Sequence, residues 1–174
     1  SSNRRQRQMC IRDRINPSLV LGPVLESDFG TSVELVKRFL NGGFPLAPNI
    51  SFGIVDVRDV AQLHLLALES PQASGNRFIA SSETLAIPLI SEFLRKKIPE
   101  YQKRLPKGTA PDFLIKLLGF FSPLMKTVAN QLGKTKELDN SKAKNILGWQ
   151  PRSGEEAVIA SAKSLIEFDI VKSP

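Results

Sequence analysis

The chain has 174 residues, of which 41% are hydrophobic, 24% charged and 7% aromatic, with a formal net charge of +7 and an isoelectric point near 9.8. That length suits one ordinary domain with a real core. One Cys excludes a disulfide framework or a Cys-based zinc cluster, and one His excludes a His-rich metal site, so no metal ligands are assigned.

Residues 1–14, SSNRRQRQMCIRDR, carry five Arg against one Asp and hold the only Cys, Cys10. They supply more than half of the net charge. No apolar segment follows the arginines, so the stretch is not a secretory signal. Three origins fit it. A basic arm suits phosphate contacts with nucleic acid; a native disordered arm explains the same composition; and residues 8–14, QMCIRDR, resemble a translated sequencing adapter. The adapter is the favoured reading, so residues 1–14 are expected to be a disordered, non-native leader and nucleic acid is the least favoured partner.

From Ile15 the texture changes to that of a packed domain. Residues 15–21, INPSLVL, form an apolar run closed by Gly22-Pro23, which predicts one strand entering a loop. Pro17 cannot donate to a ladder and marks an end, a bulge or exposed backbone. Thr31 and Glu34 match a capping box for a helix through about Leu40, with Val33, Val36 and Leu40 at helical spacing and Asn41-Gly42-Gly43 as its stop. Residues 51–57, SFGIVDV, predict a second strand. A helix over 58–69 follows, with Val60, Leu63, His64, Ala67 and Leu68 on one apolar face.

Ser70-Pro71 ends that helix, and residues 76–80, NRFIA, predict a third strand. Helices are expected over 87–98, stopped at Pro99, and over most of 111–131, divided at Gly119 and Pro123; residues 101–105 read as a short extended piece. Asn140 or Ser141 caps a helix through Leu147, and Ser153 with Glu156 forms a capping box for a last helix to about Phe168. Strands alternate with helices early and helices dominate later, which is α/β grading into a helical tail. No uncharged apolar run reaches the roughly 18 residues of a membrane span, because residues 113–124 are short and include Lys116.

Several side chains suit either chemistry or plain structure. Asp56, Arg58 and Asp59 cluster at a strand-to-helix junction, where ligand crevices of open α/β sheets lie; ion pairing and helix capping explain them as well, and the structural reading is preferred. His64 is expected to be a core or half-buried histidine satisfied by a backbone group, and Trp149 to pack the last helix pair. The apolar residues 113–124 suit a substrate-pocket wall or an ordinary buried helix pair.

Three stretches, in this order, carry a signature: Asn16-Pro17-Ser18-Leu19-Val20-Leu21-Gly22-Pro23; Val55-Asp56-Val57-Arg58-Asp59-Val60-Ala61 followed by His64 and Leu68; and Asp139-Asn140-Ser141-Lys142-Ala143 through Leu147-Gly148-Trp149-Gln150-Pro151. They resemble the strand and loop after the catalytic helix, a later strand–helix junction and the C-terminal substrate-domain helix of extended short-chain dehydrogenases/reductases, the NAD-dependent epimerase/dehydratase superfamily. Within it the chain is most similar to NADP-dependent aldehyde reductases and dihydroflavonol reductase-like proteins. The resemblance covers about residues 15–170.

It implies an α/β fold: the C-terminal part of a Rossmann-type parallel sheet, about three strands, plus a mainly helical substrate-binding subdomain. Residues 15–80 would belong to the dinucleotide-binding domain and residues 81–174 to the substrate-binding region. The complete enzyme would be a cytoplasmic oxidoreductase that reduces an aldehyde or ketone with NADPH. By the same resemblance Pro17, Ser18, Leu19 and Val20 line the nicotinamide end of the cofactor and Ser32 lies near it, although plain N-capping explains Ser32 equally well.

The family's Gly-rich first turn and its catalytic Tyr-x-x-x-Lys pair are absent from these 174 residues. The only Tyr is Tyr101, with Leu105 four residues on. No catalytic residue is therefore assigned, and the resemblance implies the C-terminal half of such an enzyme, inactive alone. A nucleotide-sugar epimerase/dehydratase fragment is disfavoured by the lack of an Arg-rich clamp in the tail. A non-enzymatic basic binding module is the other alternative.

Overall fold

The strand expected over 15–21 breaks at Ser18 into two that serve different sheets. In a computed structural model, which describes residues 14–118, 129–130, 132–133, 135 and 137–174, β1 (Arg14–Pro17) and β2 (Leu19–Leu21) are consecutive. The strand β3 (Ser51–Asp56) pairs in parallel with β2, and β4 (Arg77–Ala80) pairs in parallel with β1. Pro17 has no N–H to give and ends β1, and Ser18 donates its own N–H to Ala80 O at 2.9 Å before the chain crosses to β3. A strand absent from the sequence reading, β5 (Glu83–Ala86), adds antiparallel to β3. The described residues thus form a two-stranded parallel sheet, β1–β4, and a three-stranded mixed sheet, β2–β3–β5, in place of about three strands in one sheet.

The helices described from end to end are α1 (Thr31–Leu40), α2 (Val57–Glu69), α3 (Ile87–Lys97), α4 (Asp112–Leu118), α5 (Ser141–Leu147) and α6 (Gly154–Glu167). A 3₁₀ turn, Pro99–Tyr101, and the turn after it replace the extended piece expected over 101–105, because Pro99 fixes a helical φ at its first position. Of the disordered leader expected over 1–14, residues 1–13 lie outside the described residues, whereas Arg14 opens β1; residues 119–128 and 131 of the helical stretch expected over 111–131 also lie outside them.

Helix starts follow the sequence unevenly. Half of the α6 capping box forms: Ser153 Oγ accepts the Glu156 N–H at 3.2 Å, while the Glu156 carboxylate turns to Arg58 and Arg152. That of α1 does not: Thr31 is already the first helical residue, and Gly30 holds the cap position without any side-chain bond. At α2 the Asp56 carboxylate accepts the Arg58 N–H at 2.9 Å. At α5 Asn140 directs its amide to Ser81 O at 2.6 Å, and Asp139 instead accepts the Ser141 N–H at 2.8 Å. Two hydrogen bonds to Asp139 lower its pKa, the one from the Ser141 side chain contributing most.

Strand alternation splits the interior into two cores on opposite faces of β3. Ile54 faces one, with Val36 and Phe39 of α1, Leu94 of α3 and Leu165 of α6. Val55 faces the other, with Leu63 of α2, Phe78 of β4, Leu147 of α5 and Trp149. Each such side chain, fully withdrawn from water, stabilises by roughly 1.5–3 kcal/mol. The division expected between residues 80 and 81 coincides with the end of β4, before the two-residue link to β5.

Candidate functional site

Leu21, the last residue of β2, stands opposite Asp56, the last of β3, so two parallel strands end side by side. Crevices beyond the carboxyl ends of such strands are where open α/β sheets bind ligands. Gly22, at φ +126°, turns the chain there. A Cβ on it would lie 2.9 Å from Val57 Cγ1 and 3.0 Å from Asp56 Oδ1, so glycine alone fits between the end of β2 and the start of α2. Residues 22–30 then run as an irregular loop into α1.

This loop, the first turn of α1 and Val57 enclose a pocket of about 260 Å³, with Val20, Leu21, Phe29, Ser32 and Val57 among its walls. Its charged members are Glu26 and Asp28, and neither Lys nor Arg lines it. An anionic group entering it would meet like charge, whereas an uncharged, mainly apolar group would bury surface. Sites for drug-sized ligands usually span about 300–1,000 Å³, so this pocket falls just below that range.

Of the residues singled out for the cofactor, the structure brings Val20 and Ser32 together in this pocket. Pro17, Ser18 and Leu19 stand upstream, at the junction of β1 and β2. Ser18 Oγ is buried there with no hydrogen-bond partner in the described structure. The α1 cap makes no side-chain bond, so Ser32 is not the N-cap. Phe29 and Val57 escaped sequence reading. The Gly22-Pro23 turn was the available signal for the loop, while Val57 arrives only through the pairing of β2 with β3.

The charge cluster at the start of α2 is tied to α6. Arg58 binds the fully buried Asp56 carboxylate through Nε at 2.8 Å and Nη2 at 2.7 Å, and this bond holds its guanidinium pKa above the ordinary value. Asp59, 1% exposed, accepts the Arg152 N–H at 2.7 Å and a second bond from the Arg152 guanidinium. Its main-chain carbonyl accepts from Trp149 Nε1 at 2.9 Å. Glu156 joins the two arginines, 3.5 Å from Arg58 and 3.2 Å from Arg152. Both buried carboxylates are fully engaged within the protein, which supports the structural reading of this cluster.

His64 differs from its expected setting. Its Nδ1 lies 2.8 Å from Val60 O, the expected backbone partner, but the residue is exposed. The buried face of α2 carries Asp59, Leu63 and Ala67, while Leu65 and Leu68 are 60% and 58% exposed. Trp149 is buried with α2, β4 and α5 rather than between α5 and α6. Tyr101 lies in the core with α1, α3 and α6, under Arg104, and is not among the pocket walls. Phe113, on α4, is 72% exposed.

A larger, open cleft of about 580 Å³ runs past Glu83, Lys144 and Arg152. Glu83 already accepts the Gly154 N–H, and Arg152 already binds Asp59 and Glu156. Among the described residues no helix is long and apolar enough to cross a membrane.

The paired parallel strand ends, the glycine turn and the pocket beyond them, which carries acidic but no basic side chains, have the layout of the crevice in open α/β sheets. No family model matches the chain. It is 28% identical over 161 residues to an NADPH-dependent methylglyoxal reductase of Saccharomyces cerevisiae, covering 89% of the chain and 43% of that protein. It is 33% identical over 164 residues to a ketoreductase of Aspergillus niger, covering 88% of the chain and 43% of that protein. The solved structure of the yeast methylglyoxal/isovaleraldehyde reductase with NADPH superposes on 90% of the chain and 43% of its own length, with a TM-score of 0.68 and 25% identity. The chain spans less than half the length of these relatives. Over the part they share, the chain is similar in sequence and fold to reductases of the extended short-chain dehydrogenase/reductase superfamily.

Proposed function

We propose that the chain is the cofactor-edge and substrate-binding part of an NADPH-dependent reductase of aldehydes or ketones, and that the pocket between β2, the 22–30 loop and α1 receives the nicotinamide end of the cofactor. The observation that carries this reading is the character of the walls: apolar side chains from β2, the loop and Val57, with no basic residue. Such walls fit the uncharged carboxamide ring and not a phosphate. The two relatives named above are an NADPH-dependent methylglyoxal reductase and a ketoreductase, which supports the cofactor and the carbonyl substrate class.

Bound NADPH supplies the hydride. Within the chain, Val20, Leu21, Phe29 and Val57 exclude water from the ring and hold its plane. Ser32, inside the uncapped first turn of α1, offers a hydroxyl to the carboxamide or a ribose oxygen. Pro17, Ser18 and Leu19 precede Val20 in the chain and are not among the walls of this pocket. Residues 15–80 serve the cofactor and residues 81–174 chiefly the substrate, in a protein of the cytoplasm.

The chain holds neither a Gly-rich phosphate turn nor a Tyr-x-x-x-Lys pair, so it does not complete proton delivery by itself. Mixed with NADPH and a panel of aldehydes, the 174-residue chain is expected to consume no NADPH above the buffer rate. Turnover with any aldehyde contradicts this assignment of roles.

A further inference from the structure

The apolar face of α6 is interrupted by two buried serines three residues apart, Ser161 and Ser164, which are 0% and 6% exposed. Serine is an ordinary helix residue at a surface and an expensive one in a core unless its hydroxyl is hydrogen-bonded. Both hydroxyls reach out of the helix to the loop that walls the pocket. Ser161 Oγ accepts the Gly22 N–H at 2.7 Å and stands 2.9 Å from Gly22 O and 3.1 Å from Ala157 O, where its single proton is given. Ser164 Oγ accepts the Val24 N–H at 2.9 Å and donates to Ser161 O at 3.0 Å. These bonds join residues 139 and 140 positions apart in sequence.

The loop needs such anchors. It has no regular structure between Gly22 and Gly30, it carries the 88%-exposed Leu25, and its turn rests on a single positive-φ glycine. Gly22 and Val24 themselves line the pocket, whereas neither serine does. An alanine at 161 or 164 would keep the helix and its packing while leaving a buried loop amide without its acceptor.

We propose that Ser161 and Ser164 are positioning residues for the pocket: acting through the amides of Gly22 and Val24, they fix the wall against which the ligand packs and so set its affinity. This rests on the reading of the pocket as the site for the nicotinamide end of NADPH. The serines hold the loop at the two points where it leaves β2, so the walls from Val20 to Phe29 are placed by a helix from the far end of the chain.

The test uses the ¹⁵N-labelled chain, titrated with NADPH to millimolar concentration, with amide exchange measured alongside. In the unmodified chain NADPH is expected to shift the amide signals of Val20, Leu21, Gly22 and Ser32. S161A and S164A are each expected to accelerate exchange of the Gly22 or Val24 amide by about tenfold or more, the size of one lost buried hydrogen bond. Each is also expected to raise the apparent Kd for NADPH about three- to tenfold, with the protection of α6 retained. S164T keeps the hydroxyl and is expected to restore both. S91A truncates a buried serine of α3 whose hydroxyl has no partner, and it is expected to change neither. If NADPH shifts no pocket signal in the unmodified chain, the pocket reading fails and this proposal with it. If NADPH binds there but S161A and S164A bind it as tightly as the unmodified chain, the pocket reading stands and the positioning role is overturned. Loop exchange that stays unchanged in both variants overturns it equally.

Discussion

Replacing Asp59 with Ala removes the carboxylate on which the loop before α6 is hung. Two bonds disappear, from the Arg152 N–H at 2.7 Å and from its guanidinium, while the bond from Trp149 Nε1 survives because it goes to the Asp59 main chain. Hydrogen bonds to charged groups contribute about 1.5–3 kcal/mol each, and breaking a fully buried ion pair costs about 3–5 kcal/mol. The upper figure does not apply. The Arg152 side chain is 38% exposed and keeps Glu156 at 3.2 Å, so water and a second carboxylate compensate its charge. The expected loss is therefore about 2–3 kcal/mol, which in a chain of this size lowers Tm by about 5–10 °C. Asp59→Asn keeps an acceptor for the Arg152 N–H and is expected to lose about half as much. Urea unfolding followed by the fluorescence of Trp149, the sole Trp, with far-UV circular dichroism as a second probe, measures both variants. A loss below about 0.5 kcal/mol for Asp59→Ala refutes the claim that this carboxylate ties α2 to α6, since ordinary surface substitutions fall in that range.

Four further outcomes follow from the same geometry. Gly22→Ala is expected to destabilise by about 2–4 kcal/mol and to abolish NADPH-induced shifts, because it combines φ +126° with a Cβ 2.9 Å from Val57 Cγ1; chemical denaturation and the titration above measure it. Gly53→Ala is expected to cost about 1–2 kcal/mol in the same denaturation: the tip of Leu138 swings aside, but Ser18 Cβ, 3.2 Å from the new methyl, moves only with its backbone. Trp149→Phe removes the indole N–H from the Asp59 carbonyl and leaves a void in the core where Trp149 is buried, and is expected to cost about 1–3 kcal/mol, read by calorimetry. Asp139 has a folded-state pKa below its ordinary 3.8, so its support for the start of α5 is complete above that value and is lost as pH falls through the lowered one. The Ser141 amide signal, followed against pH, is expected to lose its hydrogen-bonded position only in that acid range, and Asp139→Asn to abolish the transition.

Local chemistry was legible in the sequence where one segment decides the outcome. Pro17 ends its strand, Asn41-Gly42 stops α1 with Gly42 at φ +76°, and Ser153 caps α6. Long-range pairing was not. The run INPSLVL looks uniform, yet it divides at Ser18 because β4 and β3 claim its two halves. The strand ETLA is four residues long and too short for an alternation to stand out, and it exists because β3 offers it an edge. On α2 leucines occur at 63, 65, 66 and 68, so two helical faces look apolar in sequence; β4, α5 and Trp149 cover the one that carries Leu63, which leaves Leu65 and Leu68 outside. The site divides the same way. Val20 and Ser32 were reached from a strand end and a helix start, while Phe29 and Val57 depend on how a loop folds and two strands align. The two serines that anchor the loop were invisible, since each reads as an ordinary small residue of a helix.

The central claim is that the pocket beyond β2 takes the uncharged end of the dinucleotide, and splitting the cofactor tests it most directly. Reduced nicotinamide mononucleotide, titrated into the ¹⁵N-labelled chain, is expected to shift the amides of Val20, Leu21, Gly22, Phe29 and Ser32. Adenosine 2′,5′-bisphosphate, which carries the phosphates of the other half, is expected to leave them in place. Shifts at these residues from the adenosine bisphosphate, or none from the nicotinamide half, contradict the account.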